Sequence, residues 1–171
     1  MSVLTSARLR LVPLAASDLE ALHALWTSAG VRRYLWDDEV VPSRRTAAVI
    51  DESERLFATR GFGLWGARRV DDSVLIGFGG FWHFREPPEL ELLYGVAESA
   101  WNRNYATEIA QAVIAYGVTT LGMSTIRGST DAANTASVRV LEKLGFRYER
   151  RASSGGLDTV FYVIGPQLDP D

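Results

Sequence analysis

The chain has 171 residues, a length typical of one domain, with 47% hydrophobic and 23% charged residues. It contains no cysteine, which excludes disulfides, thiolate metal ligands and a cysteine nucleophile. The net charge of −3 argues against a general nucleic-acid-binding protein, which normally presents a basic surface. No apolar stretch approaches a membrane span, and Arg8 and Arg10 interrupt the apolar run that a signal peptide needs, so we expect a cytoplasmic protein.

The first half of the sequence predicts a strand, a helix, a loop, a second helix and two strands, in residues 9–14, 17–30, 31–42, 43–61, 62–69 and 74–84. The first helix has apolar residues at helical spacing, and Gly30 is typical of a helix end. Residues 70–73 suit a hairpin turn between the two strands.

The second half predicts a strand, a helix, a strand, a helix and two closing strands, in residues 90–96, 105–120, 124–129, 134–144, 148–151 and 160–164. Strands that alternate with helices favour an α/β (α+β) sandwich around one twisted mixed sheet. We therefore expect a single domain in residues 1–165 and a C-terminal tail in residues 166–171.

Residues 89–108 predict a strand, a turn and the start of a helix. The first N–H groups of a helix are unpaired and partly positive, so they can bind a pyrophosphate. Asn102 and Asn104 in the turn tolerate the left-handed conformation, and Arg103 adds positive charge. A plain turn with a solvated arginine explains these residues equally well.

Residues 131–146 place Asn134 at the start of a helix and Ser137 on the same helix face. The Asn134 amide is able to bond a ligand amide or the local backbone. The simpler alternative is a helix N-cap followed by a packed small residue.

The two segments share a set of motifs: Glu91 on a strand, WNRN at 101–104, YATE at 105–108, Asn134 with Ser137, and KLGF at 143–146. In this combination and spacing the chain resembles the GNAT N-acetyltransferase superfamily, in its ribosomal-protein-alanine N-acetyltransferase-like branch. The resemblance extends over almost the whole chain.

The resemblance implies a GNAT-like domain with a twisted mixed sheet of about seven strands flanked by four helices. It implies an N-acetyltransferase that moves an acetyl group from acetyl-CoA to a primary amine, by direct attack in a ternary complex. The acceptor is then a protein N-terminus or a small molecule. No metal, nucleic acid or membrane is expected, and the protein is a monomer or a homodimer.

The resemblance also implies residue roles. Glu91 is the candidate base, with a structural or solvated strand glutamate as the alternative. Ser137 is the candidate proton donor to the CoA thiolate, with a packing role as the alternative, and the N–H of Gly95 or Val96 is the candidate oxyanion donor. The candidate cofactor-binding residues are Val96, Ala97, Trp101, Arg103, Asn104, Tyr105, Ala106, Thr107 and Asn134.

The loop at residues 31–42 borders the acceptor site in the family, which makes Tyr34 and Trp36 candidate acceptor residues. Asp37 and its acidic neighbours are able to attract a cationic acceptor, although a solvated loop explains them as well. His83 is a third candidate, with a packed or surface histidine as the alternative.

The chain departs from the family pattern at three positions. Asn102 and Asn104 replace glycines, so each must adopt the backbone conformation that glycine adopts easily. Leu141 stands where many relatives carry a tyrosine that protonates the leaving thiolate. These departures leave open a catalytically weak acyl-CoA-binding or sensing module. A separate alternative is an acyltransferase for a longer group such as succinyl.

Overall fold

The computed structural model describes residues 2–84 and 89–165, except for the side chains of residues 89 and 154. The eight strands within these ranges are β1 Leu4–Thr5, β2 Leu9–Pro13, β3 Leu64–Arg69, β4 Leu75–Phe84, β5 Glu89–Val96, β6 Ile126–Asp131, β7 Arg147–Ser154 and β8 Leu157–Ile164. The α-helices are α1 Leu19–Thr27, α2 Ala29–Leu35, α3 Ser43–Arg60, α4 Tyr105–Thr119 and α5 Thr135–Lys143. The predicted tail, residues 166–171, lies outside the described residues.

The strands form one sheet in the order β1-β2-β3-β4-β5-β6-β8-β7. Neighbouring strands are antiparallel except β5 and β6, which are parallel and paired only at Glu91 and Arg127. The twisted mixed sheet is the predicted architecture, and the two-residue β1 accounts for the eighth strand. Because β5 and β6 separate beyond this single pair, the sheet opens towards the end of β5.

Apolar side chains fill the space on both faces of the sheet, because successive strand residues point to opposite sides. On one face, Ile109 and Val113 of α4 pack with Phe81. On the other face, Trp26 of α1 packs with Phe78 in an edge-to-face contact, with ring centroids 5.5 Å apart. Each such buried side chain contributes roughly 1.5–3 kcal/mol to folding.

A glycine in β4 allows α4 to lie close to the sheet. A Cβ built on Gly79 would lie 2.4 Å from the Cγ2 of Ile109, which is closer than real side chains approach. The resulting close packing holds the start of α4 next to the open end of β5.

The loop predicted at residues 31–42 is wrong in its first part, because residues 29–35 form α2. Ser28 ends α1 in an extended conformation, and its Oγ donates to the Leu25 carbonyl at 2.8 Å. Gly30 does not end the helix as predicted, but lies in the first turn of α2. A Cβ there would lie 2.4 Å from the Trp101 ring, so Gly30 permits close contact. The described residues thus contain five α-helices instead of four, and none of them is long and apolar enough to cross a membrane.

Candidate active site

A cleft of about 920 Å³ lies where β5 and β6 separate. Its walls are the end of β5, the start of α4, the first turns of α5, α2 and the start of β8. This volume is within the range of small-molecule and cofactor sites. Several of the predicted cofactor and catalytic residues line it: Val96, Trp101, Asn104, Tyr105, Ala106, Thr107, Asn134 and Ser137.

The end of β5 presents peptide groups to the gap between β5 and β6. The Ala97 N–H donates to the Ile76 carbonyl at 2.8 Å, so this peptide group points towards β4. Peptide groups alternate in direction along a strand, so those of Tyr94 and Val96 point the opposite way. The Val96 carbonyl accepts the indole N–H of Trp101 at 2.8 Å. A ligand amide can therefore pair with the Tyr94 peptide and the Val96 N–H, but the predicted pairing with Ala97 is not available.

The turn before α4 has the backbone conformation that the glycine pattern requires. Asn102 and Asn104 both have positive φ, at 59° and 66°, which confirms the prediction made for these two residues. The first backbone hydrogen bond of α4 runs from the Glu108 N–H to the Asn104 carbonyl at 3.2 Å. The N–H groups of residues 105–107 precede this bond and form the positive end of the helix, which suits an anion.

The side chain of Asn104 points towards α5, where its Oδ1 accepts the Lys143 ammonium at 2.7 Å. Asn104 makes no side-chain cap of α4. The asparagine therefore leaves the helix N-terminus open and holds a positive charge beside it.

The turn before α4 is anchored from behind by Arg8 and Glu108. The Arg8 guanidinium donates to Oε2 of Glu108, from Nε at 2.9 Å and from Nη2 at 2.6 Å. The Arg8 backbone N–H donates to Oε1 of Glu108 at 3.0 Å. Its Nη2 also donates to the Arg103 carbonyl at 3.0 Å. Burial raises the pKa of Glu108, but hydrogen bonds from Ser6 and Arg8 outweigh it and hold this pKa below its usual range. Sequence reasoning missed this anchor, because its partners are about 100 residues apart.

Glu91 lies at the point where the two strands part and is only 1% exposed. Its Oε2 accepts the hydroxyl of Ser129 at 2.5 Å. Ser129 lines the cleft, whereas Glu91 is not among the lining residues. The carboxylate is therefore connected to the cleft through a hydroxyl and does not face it directly.

Tyr94 and Ser137 form a hydroxyl pair in the wall of the cleft. The two hydroxyl oxygens are 2.9 Å apart, and the Tyr94 hydroxyl also lies within donating distance of the Ser137 carbonyl, at 3.2 Å. Burial raises the pKa of Tyr94 to about 12, against a smaller lowering by the bond to Ser137. Asn134 caps α5 through Oδ1, which accepts the Ser137 N–H at 3.2 Å, so the predicted N-cap alternative is confirmed.

The side of the cleft formed by the α2 segment and the end of β6 contains two carboxylates. Asp37 and Asp131 both line it, and Tyr34 closes it where its hydroxyl donates to the Ala133 carbonyl at 3.4 Å. Burial raises the pKa of Asp131, and the nearby charges of Asp37 and Asp158 raise it further. Sequence reasoning missed Asp131, although its position at the end of β6, next to the open end of the sheet, is the signal that could have identified it.

Three other predicted residues do not line the cleft. Trp36 packs edge-to-face on Trp26, with centroids 5.5 Å apart, and so lies partly buried against the core. His83 is exposed and contacts the Phe62 ring. The Arg103 side chain is also outside the lining residues, and its carbonyl is held by Arg8.

Comparison with known proteins agrees with this geometry. The model of the acetyltransferase (GNAT) domain matches residues 8–147. The chain belongs to the GNAT acetyltransferase family. As a GNAT protein it is an acyl-CoA-dependent acetyltransferase. Membership of the family does not define the acceptor.

One similar GNAT relative is the uncharacterized N-acetyltransferase YoaA of Bacillus subtilis, which is 29% identical over 98% of this chain and 92% of its own. A crystal structure of an acetyltransferase from Agrobacterium tumefaciens has a TM-score of 0.84 at 23% identity, over 97% of this chain and 95% of its own. A structure of RimL, a ribosomal L7/L12 alpha-N-protein acetyltransferase, in complex with coenzyme A has a TM-score of 0.78 at 18% identity, over 95% of this chain and 97% of its own. The two structures show that the GNAT fold extends over nearly the whole chain.

Proposed function

We propose that the protein transfers the acetyl group of acetyl-CoA to a primary amine, by direct attack within a ternary complex. The observation that carries the proposal is that a helix N-terminus and an open strand edge line one cleft, and that a buried carboxylate is connected to this cleft through the Ser129 hydroxyl. The N–H groups of residues 105–107 suit the pyrophosphate, and the peptide group of Tyr94 suits an amide of the pantetheine arm. Acetyl-CoA supplies the activated acyl group when it is bound.

Glu91 is the proposed base, acting through Ser129. An alkyl ammonium has a pKa near 10, so the attacking amine must lose a proton before it reacts. The Ser129 hydroxyl takes this proton from the cleft and passes its own to the Glu91 carboxylate, 2.5 Å away. The Val96 N–H faces the gap and is the proposed donor to the developing oxyanion, because the Gly95 peptide pairs with Phe78 on β4 and points away.

The acceptor is proposed to enter as a cation. Asp37 and Asp131 line the acceptor end, and two carboxylates attract an ammonium group. Both a peptide N-terminus, as in the name of RimL, and a small-molecule amine meet this requirement. Burial, followed by the charges of Asp37 and Asp158, raises the pKa of Asp131, and an ammonium bound between Asp37 and Asp131 should lower it.

Thiol release tests the proposal. The protein is incubated with acetyl-CoA and a panel of peptides, polyamines, amino acids and aminoglycosides, and free CoA is measured together with the acetylated product. Steady release with an acceptor supports the enzyme, and tight CoA binding without release across the panel supports a sensing module instead. Succinyl-CoA in parallel reactions separates acetyl transfer from transfer of a longer acyl group.

A further inference from the structure

The reaction needs a proton for the leaving sulfur, and the cleft has to supply it. When the carbon–sulfur bond breaks, the electron pair goes to sulfur, and a thiol with a pKa well above 7 leaves more readily if it is protonated. Leu141, which occupies the position of the tyrosine in related sequences, is 1% exposed in the core and carries no proton to donate.

Tyr94 is suited to control the hydroxyl of Ser137. Both residues line the cleft, Tyr94 from β5 and Ser137 from the first turn of α5. The phenol hydrogen has two acceptors within reach, the Ser137 carbonyl at 3.2 Å and Oγ at 2.9 Å. Only when the phenol donates to Oγ is the serine hydrogen free to turn towards a third group.

We propose that Tyr94 is the positioning residue for proton donation by Ser137 to the leaving thiolate. The Tyr94 hydroxyl donates to Ser137 Oγ, which directs the serine hydrogen into the cleft and stabilises the oxygen as it gives up that hydrogen. This proposal rests on the acetyltransferase function proposed above.

The sulfur receives the electron pair of the broken bond and the proton of Ser137, and Ser137 recovers a proton from Tyr94, which is reprotonated by water. The ammonium nitrogen gives up two protons, one before attack and one as the amide forms, and both leave through Ser129 and Glu91 to water. One of them offsets the proton that water returns to Tyr94, so each turnover forms one amide and one thiol and releases one proton. The high pKa of Tyr94 keeps it a neutral donor at physiological pH.

The test is a double-mutant cycle with Tyr94→Phe, Ser137→Ala and both together, in the full chain. We expect kcat to fall about tenfold in Tyr94→Phe and about 100-fold in Ser137→Ala. The double variant should be no slower than Ser137→Ala, because Tyr94 acts only through that serine. The Kd for CoA should stay within about twofold in all three, since a lost hydroxyl leaves the peptide groups of β5 in place.

Tyr116→Phe is the matched control, because Tyr116 is a buried tyrosine that donates to the Gly61 carbonyl at 2.6 Å, outside the cleft. Its kcat should be unchanged. A Tyr94→Phe rate within twofold of wild type, or fully additive losses in the cycle, overturns the role of Tyr94 while the acetyltransferase function stands. If wild-type protein releases no thiol with any amine, both proposals are overturned together.

Discussion

Replacing Glu91 by glutamine isolates the proposed base. Glutamine has nearly the same size, and it keeps an oxygen that can accept the Ser129 hydroxyl, which is 2.5 Å from Oε2 in the native protein. What it loses is the capacity to take up a proton. A positioned general base contributes about 100-fold or more, so we expect kcat to fall at least 100-fold, or about 2.7 kcal/mol in barrier height.

The assay is steady-state thiol release with the best acceptor, together with calorimetry for CoA. The Kd of CoA should stay within about twofold, because Glu91 does not line the cleft. Ser129→Ala should lower kcat comparably, and the double variant should add little, since both residues serve one proton path. Glu142→Gln is the control. The native Glu142 carboxylate also accepts a hydrogen bond from a hydroxyl, that of Tyr162 at 3.2 Å, but it lies outside the cleft. A Glu91→Gln rate within about twofold of wild type, which is a change of less than about 0.4 kcal/mol in barrier height, would refute the role of Glu91 as the base.

Three further substitutions test the rest of the cleft. Asn104→Gly should leave the Kd of CoA within about threefold of wild type. Asn104→Ala should raise this Kd about fivefold, because alanine adopts the left-handed conformation poorly. Equal Kd values for the two variants in calorimetry would contradict this. Glu108→Gln should lower the unfolding free energy by about 1 kcal/mol at pH 7 through its contacts with Arg8. Because the pKa of Glu108 is lowered in the folded protein, the difference in unfolding free energy should be fully present above about pH 4.3. It should disappear as the pH falls through the folded pKa, as measured by denaturant titrations at several pH values. A difference that does not depend on pH would argue against the ion pair. Asp131→Asn should raise KM for a cationic acceptor about tenfold without changing the Kd of CoA, and an unchanged KM would remove Asp131 from the acceptor site.

Local patterns predicted the parts of the fold that depend on neighbours in sequence. The apolar periodicity predicted α4 and α5, and Asn102 and Asn104 predicted a left-handed turn because few other residues adopt that conformation. The same reasoning failed at Gly30, since its need for glycine comes from the Trp101 ring, which is distant in sequence.

The site was predicted less completely than the fold, because side-chain direction depends on tertiary packing. Trp36 and Tyr34 are two residues apart in one segment, yet Tyr34 lines the cleft and Trp36 packs against the core. The pairing of Tyr94 with Ser137 joins residues 43 positions apart, and no local pattern indicates it.

The parting of β5 and β6 after Glu91 has an evolutionary consequence. The surface exposed there consists of the main-chain amides of Tyr94 and Val96, which every residue except proline would provide equally well. Mutations can therefore alter most side chains along this seam without erasing its affinity for another amide chain. Under the proposed function, such a site tolerates wide divergence in its side chains, because the main chain carries the recognition.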